Sequence, residues 1–136
     1  MQDFRSRLVK RTSDAGSIQE LLDQGQLSKA LRTAKSIGVT VQQEQIDRAA
    51  AQMVRQHRAT ELLSLVGGSD EVQLPYDTLS LLRAAFQARD YHGFLKQAHR
   101  LRIKSGLETE IEEAIGSIRR RAPNEADSWL RKFGAI

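Results

Sequence analysis

The sequence predicts an all-α protein of about eight helices, stacked as four antiparallel helical hairpins into a short solenoid. Apolar residues recur at helical spacing, strand-like alternation is missing, and one apolar pattern returns after 64 residues. Stacked hairpins leave such repeats in a sequence because each hairpin buries apolar surface against the next. The first copy of the pattern is Ile18, Leu21, Leu22, Leu27, Ala30, Leu31, Ala34 and Ile37, and the second is Leu82, Ala85, Phe86, Tyr91, Phe94, Leu95, Ala98 and Leu101.

Local signals mark where these helices begin and end. Capping boxes, in which a hydroxyl and a later Glu or Gln bond the first free amides, fit Ser17 with Glu20, Thr40 with Gln43 and Thr109 with Glu112. Glycines that can end a helix and prolines that exclude a helix interior stand at Gly38, Gly67, Gly68, Gly106, Pro75 and Pro123. The expected helices are Ser17–Asp23, Leu27–Ile37, Val41–Gln56, Ala59–Val66, Asp77–Ala88, Tyr91–Ser105, Thr109–Arg121 and Asn124–Phe133.

The length and the linkers favour one domain. With 136 residues the chain suits a single core, whereas either half alone has a marginal core. We therefore expect one helical-repeat domain over residues 15–136, with a candidate hinge in the polar, glycine-containing segment 67–76. Residues 1–14 form a basic N-terminal arm without a sustained apolar face, and we expect this arm to be partly disordered.

The composition narrows the classes of function. The chain contains no cysteine, which excludes disulfides, thiolate nucleophiles and cysteine-bound metals. His57, His92 and His99 stand singly and fit neither a zinc site nor a nucleophilic triad. We expect no enzyme activity, no cofactor, no metal and no small-molecule substrate. Without a signal peptide or a long apolar run, we expect a soluble, intracellular protein in the cytoplasm rather than in a membrane, with an organellar location left open.

Two segments resemble known helical repeats. In segment 81–108, Leu81, Leu82, Arg83 and Ala84, the turn residue Asp90, Ala98 and the closing run 103–107 resemble a pentatricopeptide repeat. Segment 22–27, continued by Ala30 and Ala34, is similar to the helix-turn-helix of tetratricopeptide repeats. The resemblance implies a superhelical stack that binds peptides or single-stranded RNA and rarely catalyses a reaction.

Basic residues supply the candidate binding surface. The chain carries a net charge of +4, and six Lys or Arg residues lie between Arg83 and Lys104 against one acid, Asp90. Lys96, Arg100 and Lys104, at i, i+4 and i+8, would line one face of the sixth helix, with Arg89 nearby. Arg119, Arg120 and Arg121 close the seventh helix and are the second candidate. Solvation of an outer face, or attraction to the helix dipole, explains either set without a ligand.

Apolar residues supply a second candidate surface at each end of the stack. Trp129, Leu130 and Phe133 form an apolar face of the last helix that either caps the core or anchors a partner. Terminal hairpins need a polar outer face, which the first helix lacks. We therefore expect Leu8, Val9, Ile18 and Leu22 to dock on another chain.

Together these observations favour a non-enzymatic interaction module, an adaptor or a subunit of a larger assembly, which recognises a protein partner through its stacked helices and basic rows. RNA binding on the same rows is the alternative, because the pentatricopeptide resemblance and the positive charge both favour it.

Overall fold

The protein is all-α. A computed structural model describes residues 16–68 and 72–136, and within these ranges it contains eight helices and no strand, which confirms the predicted fold class. In these ranges no helix is both long and apolar enough to cross a bilayer. The helices are α1 (16–23), α2 (Leu27–Ile37), α3 (Gln43–Arg55), α4 (Ala59–Leu63), α5 (Thr78–Gln87), α6 (Tyr91–Arg100), α7 (Glu108–Arg119) and α8 (Pro123–Gly134).

The helices form two compact units. The first unit holds α1, α2 and α3, ends at Gln56 and includes Gln73–Pro75. In this unit α2 packs against α3, and the Gln45 side-chain amide donates to the Gln19 side chain of α1 at 2.8 Å. Its buried apolar residues are Ile18, Leu22, Leu27, Ala30, Ala34, Ile46, Ala49, Ala50 and Met53.

The second unit holds α4 to α8 and has two layers. Each helix packs against the next one in the chain, while α4 contacts α6, α6 contacts α8 and α5 contacts α7. One layer is therefore α4, α6 and α8, and the other is α5 and α7. The core between them contains Ala59, Leu62, Leu63, Leu81, Leu82, Ala85, Phe94, Leu95, Ala98, Leu107, Ile111, Ala114, Ile115, Ile118, Ala126 and Phe133.

The boundary between the units falls between α3 and α4, which are the two halves of one predicted hairpin. The single domain over residues 15–136 and its stacking as four hairpins stay predictions. The N-terminal arm lies outside the described residues, as does part of the candidate hinge at 67–76.

Several predicted helix ends were wrong, because other groups cap the helices. Gln42, not Thr40, is the N-cap of α3, where its side chain and that of Gln45 form the capping box. Helix α7 begins at Glu108, so Thr109 already lies inside it. Pro123 occupies the first turn of α8, where its missing N–H costs no hydrogen bond.

The two copies of the repeat share their turn geometry. Gly25 and Arg89, which are 64 residues apart, end α1 and α5 with φ of 70° and 62°. Gly38 and Arg102, again 64 residues apart, end α2 and α6 with φ of 74° and 55°. In each case the next amide donates to a carbonyl five residues earlier: Gln26 to Leu21 (2.8 Å), Asp90 to Ala85 (3.1 Å), Val39 to Ala34 (2.9 Å) and Ile103 to Ala98 (2.9 Å). The backbone pattern of the helix-turn-helix is therefore duplicated.

The structure extends the repeat to a third helix. Each of the four buried residues of α3 has a buried counterpart in α7, now 65 residues later. The pairs are Ile46 and Ile111, Ala49 and Ala114, Ala50 and Ile115, and Met53 and Ile118. The preceding connection is thus one residue longer in the second copy, a shift that a search at a fixed offset does not detect.

Asp77 is the cap of α5. Its carboxylate accepts from the backbone N–H of Ser80 at 2.6 Å, which satisfies one of the free amides of the first turn. Hydrogen bonds from the side chain and the backbone of Ser80 lower the pKa of the Asp77 carboxyl group below its ordinary value, and nearby Arg83 adds to this effect.

Candidate functional site

The predicted basic row on the sixth helix is shorter than expected. Helix α6 ends at Arg100, because Arg102 adopts a left-handed conformation and the amide of Ile103 turns back to Ala98. Lys104 therefore follows the helix, and the prediction that it shares one helical face with Lys96 and Arg100 was wrong. The equivalent position in the first copy is Gly38, so the repeat itself carried the signal for this stop.

Two cations of the predicted row bind carbonyls at helix ends. The Arg100 guanidinium donates to the Leu63 carbonyl at 2.7 Å and to the Gln97 side chain at 2.8 Å. The Lys104 ammonium donates to the Phe133 carbonyl at 3.3 Å. The last carbonyls of a helix lack intrahelical partners and carry the negative end of its dipole. These two cations thus tie the ends of α4 and α8 to the neighbourhood of α6.

Lys96 is the unpaired member of the row among the described residues. It makes no side-chain hydrogen bond or ion pair with another described residue. On the same side of α6, the His92 imidazole lies 2.6 Å from the Glu125 carboxylate, and the His99 ring lies edge-on to Trp129 at 6.4 Å. Lys96 is therefore exposed on the side of α6 whose His92 and His99 contact α8.

An aromatic ring with a cation over it lies on α8, the helix next to α6. Trp129 is half-buried, its ring centroid is 6.1 Å from that of Phe133, and the Lys132 ammonium lies 4.5 Å from the centre of the indole. The sequence predicted that Trp129 belongs to an apolar face, but it did not predict that this residue contacts α6. No sequence signal connects it to His99, because the two residues meet through tertiary packing.

The second candidate set divides into paired and unpaired arginines. Arg119 forms an ion pair with Asp127 of α8 at 3.0 Å. Arg120 and Arg121 are exposed just beyond α7, and their side chains bond no other described residue. The exposed side chain of Arg89, in the turn before α6, likewise has no partner among the described residues.

These arginines lie at the same end of the second unit. The pair between His92 and Glu125 brings the start of α6 to the start of α8, and the pair between Arg119 and Asp127 brings the end of α7 there as well. We call the exposed and unpaired set Arg89, Arg120 and Arg121 the arginine surface.

The carboxylates at this end are already engaged. Asp90 accepts hydrogen bonds from the Gly93 amide at 3.2 Å and from the Thr60 hydroxyl, while Glu125 and Asp127 form the two pairs just described. These three carboxylates are thus bonded to groups other than the arginine surface. Since opposite charges attract over several ångströms, this end of the unit favours an acidic ligand.

The structure describes two of the four residues of the predicted apolar interface. Ile18 and Leu22 are each 4% exposed and belong to the core of the first unit. Leu8 and Val9 lie outside the described residues. Docking of this region on another chain stays a prediction.

The described surface also contains two grooves. A groove of about 500 Å³ between α1 and α3 is lined by polar groups that largely satisfy one another, such as Gln52 with the Asp23 carbonyl at 3.0 Å and Arg48 with Glu44 at 2.7 Å. A more apolar groove of about 560 Å³ lies between α7 and α8. In the described part of the chain, no group of three His, Asp or Glu side chains is arranged to hold a metal ion.

Comparison with known proteins gives no relative for this chain. No protein-family model matches it, and neither the curated proteins nor the solved structures contain a significant match.

Proposed function

We propose that this protein is a non-enzymatic helical-repeat interaction module, an adaptor or a subunit of a larger assembly, which binds an acidic segment of a partner protein. The arginine surface supports this proposal most directly. Three exposed guanidinium groups stand without a partner among the described residues, while the nearby carboxylates are bonded to other groups. A guanidinium presents paired donors that match a carboxylate, so such a surface suits Asp and Glu side chains.

The arginine surface follows the ends of α5 and α7, where a helix dipole favours a cation, but none of its side chains bonds a described carbonyl. The Ile118 carbonyl, near the end of α7, already accepts from the backbone amides of Arg121 and Ala122 at 3.0 and 2.8 Å. The side chains of Arg120 and Arg121 bond none of the described carbonyls, and neither does that of Arg89, which follows the end of α5. Their guanidinium groups are therefore available to an acidic ligand from outside the chain.

Binding of a labelled Glu-rich peptide, measured by fluorescence anisotropy at low and at moderate salt, tests the proposal. Charge reversal at Arg120 and Arg121 (R120E/R121E) is expected to weaken binding by about tenfold or more while the melting temperature scarcely changes. The matched control reverses two exposed arginines of the first unit, R32E/R55E, with the same change in net charge. Failure of the peptide to bind at low salt, or equal loss in both variants, would contradict the proposal.

RNA binding is the second candidate, and Trp129 favours it. Single-stranded nucleic acids bind where a base can stack on an aromatic ring and cations meet the phosphates. The half-buried indole, with Lys132 over its ring and Lys96 on the neighbouring helix, offers both elements. A labelled uridine-rich RNA should then bind at low salt and lose affinity on Trp129→Ala. Absence of binding at low salt would eliminate this candidate.

A further inference from the structure

The repeat extends to the fourth helix of each copy. The two fourth helices differ in which residues cover them. Helix α4 and the turn that follows it align with α8 at an offset of 67 residues. The matched pairs are Ala59 and Ala126, Thr60 and Asp127, Leu62 and Trp129, Leu63 and Leu130, Val66 and Phe133, and Gly67 and Gly134. The sequence repeat can therefore be followed into the fourth helix of each copy, α4 and α8.

In the first of these matched helices, one face is covered by the pair α5 and α6. Leu63 is fully buried, and its carbonyl accepts from Arg100. The Thr60 hydroxyl donates to the Asp90 carboxylate at the start of α6. Leu101 lies against Gly67, since a Cβ on that glycine would be 3.4 Å from the Leu101 side chain.

The matched face of α8 is open. Leu130, the counterpart of the fully buried Leu63, is 49% exposed, and Asp127 and Gly134 are exposed as well. Leu130 and Gly134 also line the apolar groove between α7 and α8, whose other wall includes Ile111 and Ile115. The face of α4 that is buried under α5 and α6 thus corresponds to a face of α8 that lines an apolar groove.

We propose that this groove binds the α1–α2 pair of a second copy of the chain, in the manner in which α4 binds α5 and α6. The occupant follows from the repeat, because α1 and α2 are the counterparts of α5 and α6 at the 64-residue offset and share their turn geometry. The proposal concerns α8 and α2, so it does not depend on the arginine surface.

Side chains at the matched positions are complementary. Ile37 corresponds to Leu101 and can lie on Gly134 as Leu101 lies on Gly67. Gln26 corresponds to Asp90, and Asp127 to Thr60. In place of a hydroxyl that donates to a carboxylate, an amide on α2 can donate to a carboxylate on α8, so the hydrogen bond is kept with its direction reversed.

One matched position differs in size and supplies the specificity of the contact. Gly93 has no room for a Cβ because of Thr60 and Asp90, whereas its counterpart in α2 is the exposed Lys29. At this position a lysine cannot approach α8 as closely as Gly93 approaches α4, and it brings an ammonium to Asp127 instead. Among the described residues Asp127 pairs with Arg119, at 3.0 Å and in an exposed position, so it can accept a second cation.

The resulting contact joins different surfaces of the two copies. Such a heterologous contact continues from copy to copy, forming a ring or an open chain rather than stopping at a symmetric dimer. We therefore expect the weight-average mass to rise with concentration beyond that of two chains.

Sedimentation velocity of the full chain, from low micromolar to several hundred micromolar, tests this proposal. Wild type should associate, and Leu130→Asp should weaken association by about tenfold or more. The control Ile136→Asp introduces the same charge at another exposed apolar residue and should associate as wild type does. A wild-type mass that stays at 15.3 kDa throughout, or unchanged association of the Leu130 variant, would overturn the proposal.

A charge exchange keeps the test decisive even where the Leu130 variant folds poorly. D127K and K29D should each associate less than wild type, because each places like charges at the contact. An equimolar mixture of the two variants should recover association, since every contact in an alternating chain then joins opposite charges. No recovery in the mixture would show that these two residues do not meet.

Discussion

The helix-turn-helix segments 16–39 and 80–103 have the same backbone bonds but different residues where their helices end. The first segment uses Gly25 and Gly38 in the left-handed conformation, whereas the second uses Arg89 and Arg102. A left-handed arginine is strained by about 1 kcal/mol or more, because its Cβ approaches the following carbonyl. The turn is thus specified by the apolar pattern on both sides of it, and the glycine only makes it easier to form.

The largest expected difference between the copies lies in their fourth helices. Leu63→Ala should lower the free energy of unfolding by about 2 to 5 kcal/mol, because it leaves a cavity in a fully buried site. Leu130→Ala, at the matched position, should cost only about 0.5 kcal/mol in the monomer because its side chain is half exposed. Urea denaturation at low protein concentration measures both. Equal losses would show that the two helices are covered alike.

A smaller effect separates the copies at Gly93 and Lys29. Gly93→Ala should destabilise the protein by about 1 to 3 kcal/mol, because a Cβ would overlap Thr60 and the Asp90 carboxylate. The matched Lys29→Ala lies on an exposed helical face and should be close to neutral. A Gly93 variant as stable as wild type would mean that α4 and α6 do not approach as closely as described.

The turns themselves provide a third comparison. Arg89→Gly should raise the stability by about 1 kcal/mol, since glycine adopts the left-handed conformation without strain. Gly25→Ala should lower it by about the same amount for the opposite reason. Thermal denaturation followed by circular dichroism is sufficient, and a loss of stability in both variants would argue against a left-handed Arg89.

The smallest expected effect concerns pH and the cap of α5. Hydrogen bonds from Ser80 lower the pKa of Asp77 in the folded state, so its contribution is present above the ordinary carboxyl pKa and is lost as the pH falls through the folded value. Asp77→Asn keeps a capping oxygen but does not titrate. The melting temperature of wild type should therefore fall more steeply below about pH 4 than that of the variant. Parallel curves would indicate that Asp77 does not cap the helix.

The sequence was sufficient for the elements whose ends carry a strong local signal. Helix α2 was predicted with its observed bounds, the expected fifth helix began at Asp77, the observed N-cap of α5, and Asp90 stands immediately before the sixth helix as expected. The end of α6 was missed because Arg102 is not a residue that usually ends a helix, although its counterpart Gly38 is. Local signals fail where strain at one residue is stabilised by packing elsewhere.

The candidate site was predictable in its residue types but not in its arrangement. Clustered cations suggested a binding surface, yet Arg100 and Lys104 reach carbonyls that lie 37 and 29 residues away in the chain. Contacts of this kind depend on how helices pack, and no spacing within one helix encodes them. Only the structure separates these cations from Arg89, Arg120 and Arg121.

The central claim is that the chain contains two copies of one helix-turn-helix, and an experimental structure of the full chain tests it most directly. Residues 17–38 should superpose on 81–102, with positive φ at both matched pairs of helix ends, Gly25 with Arg89 and Gly38 with Arg102. A helix that continues without interruption through residues 100–104, or a negative φ at Arg89, would contradict the duplication.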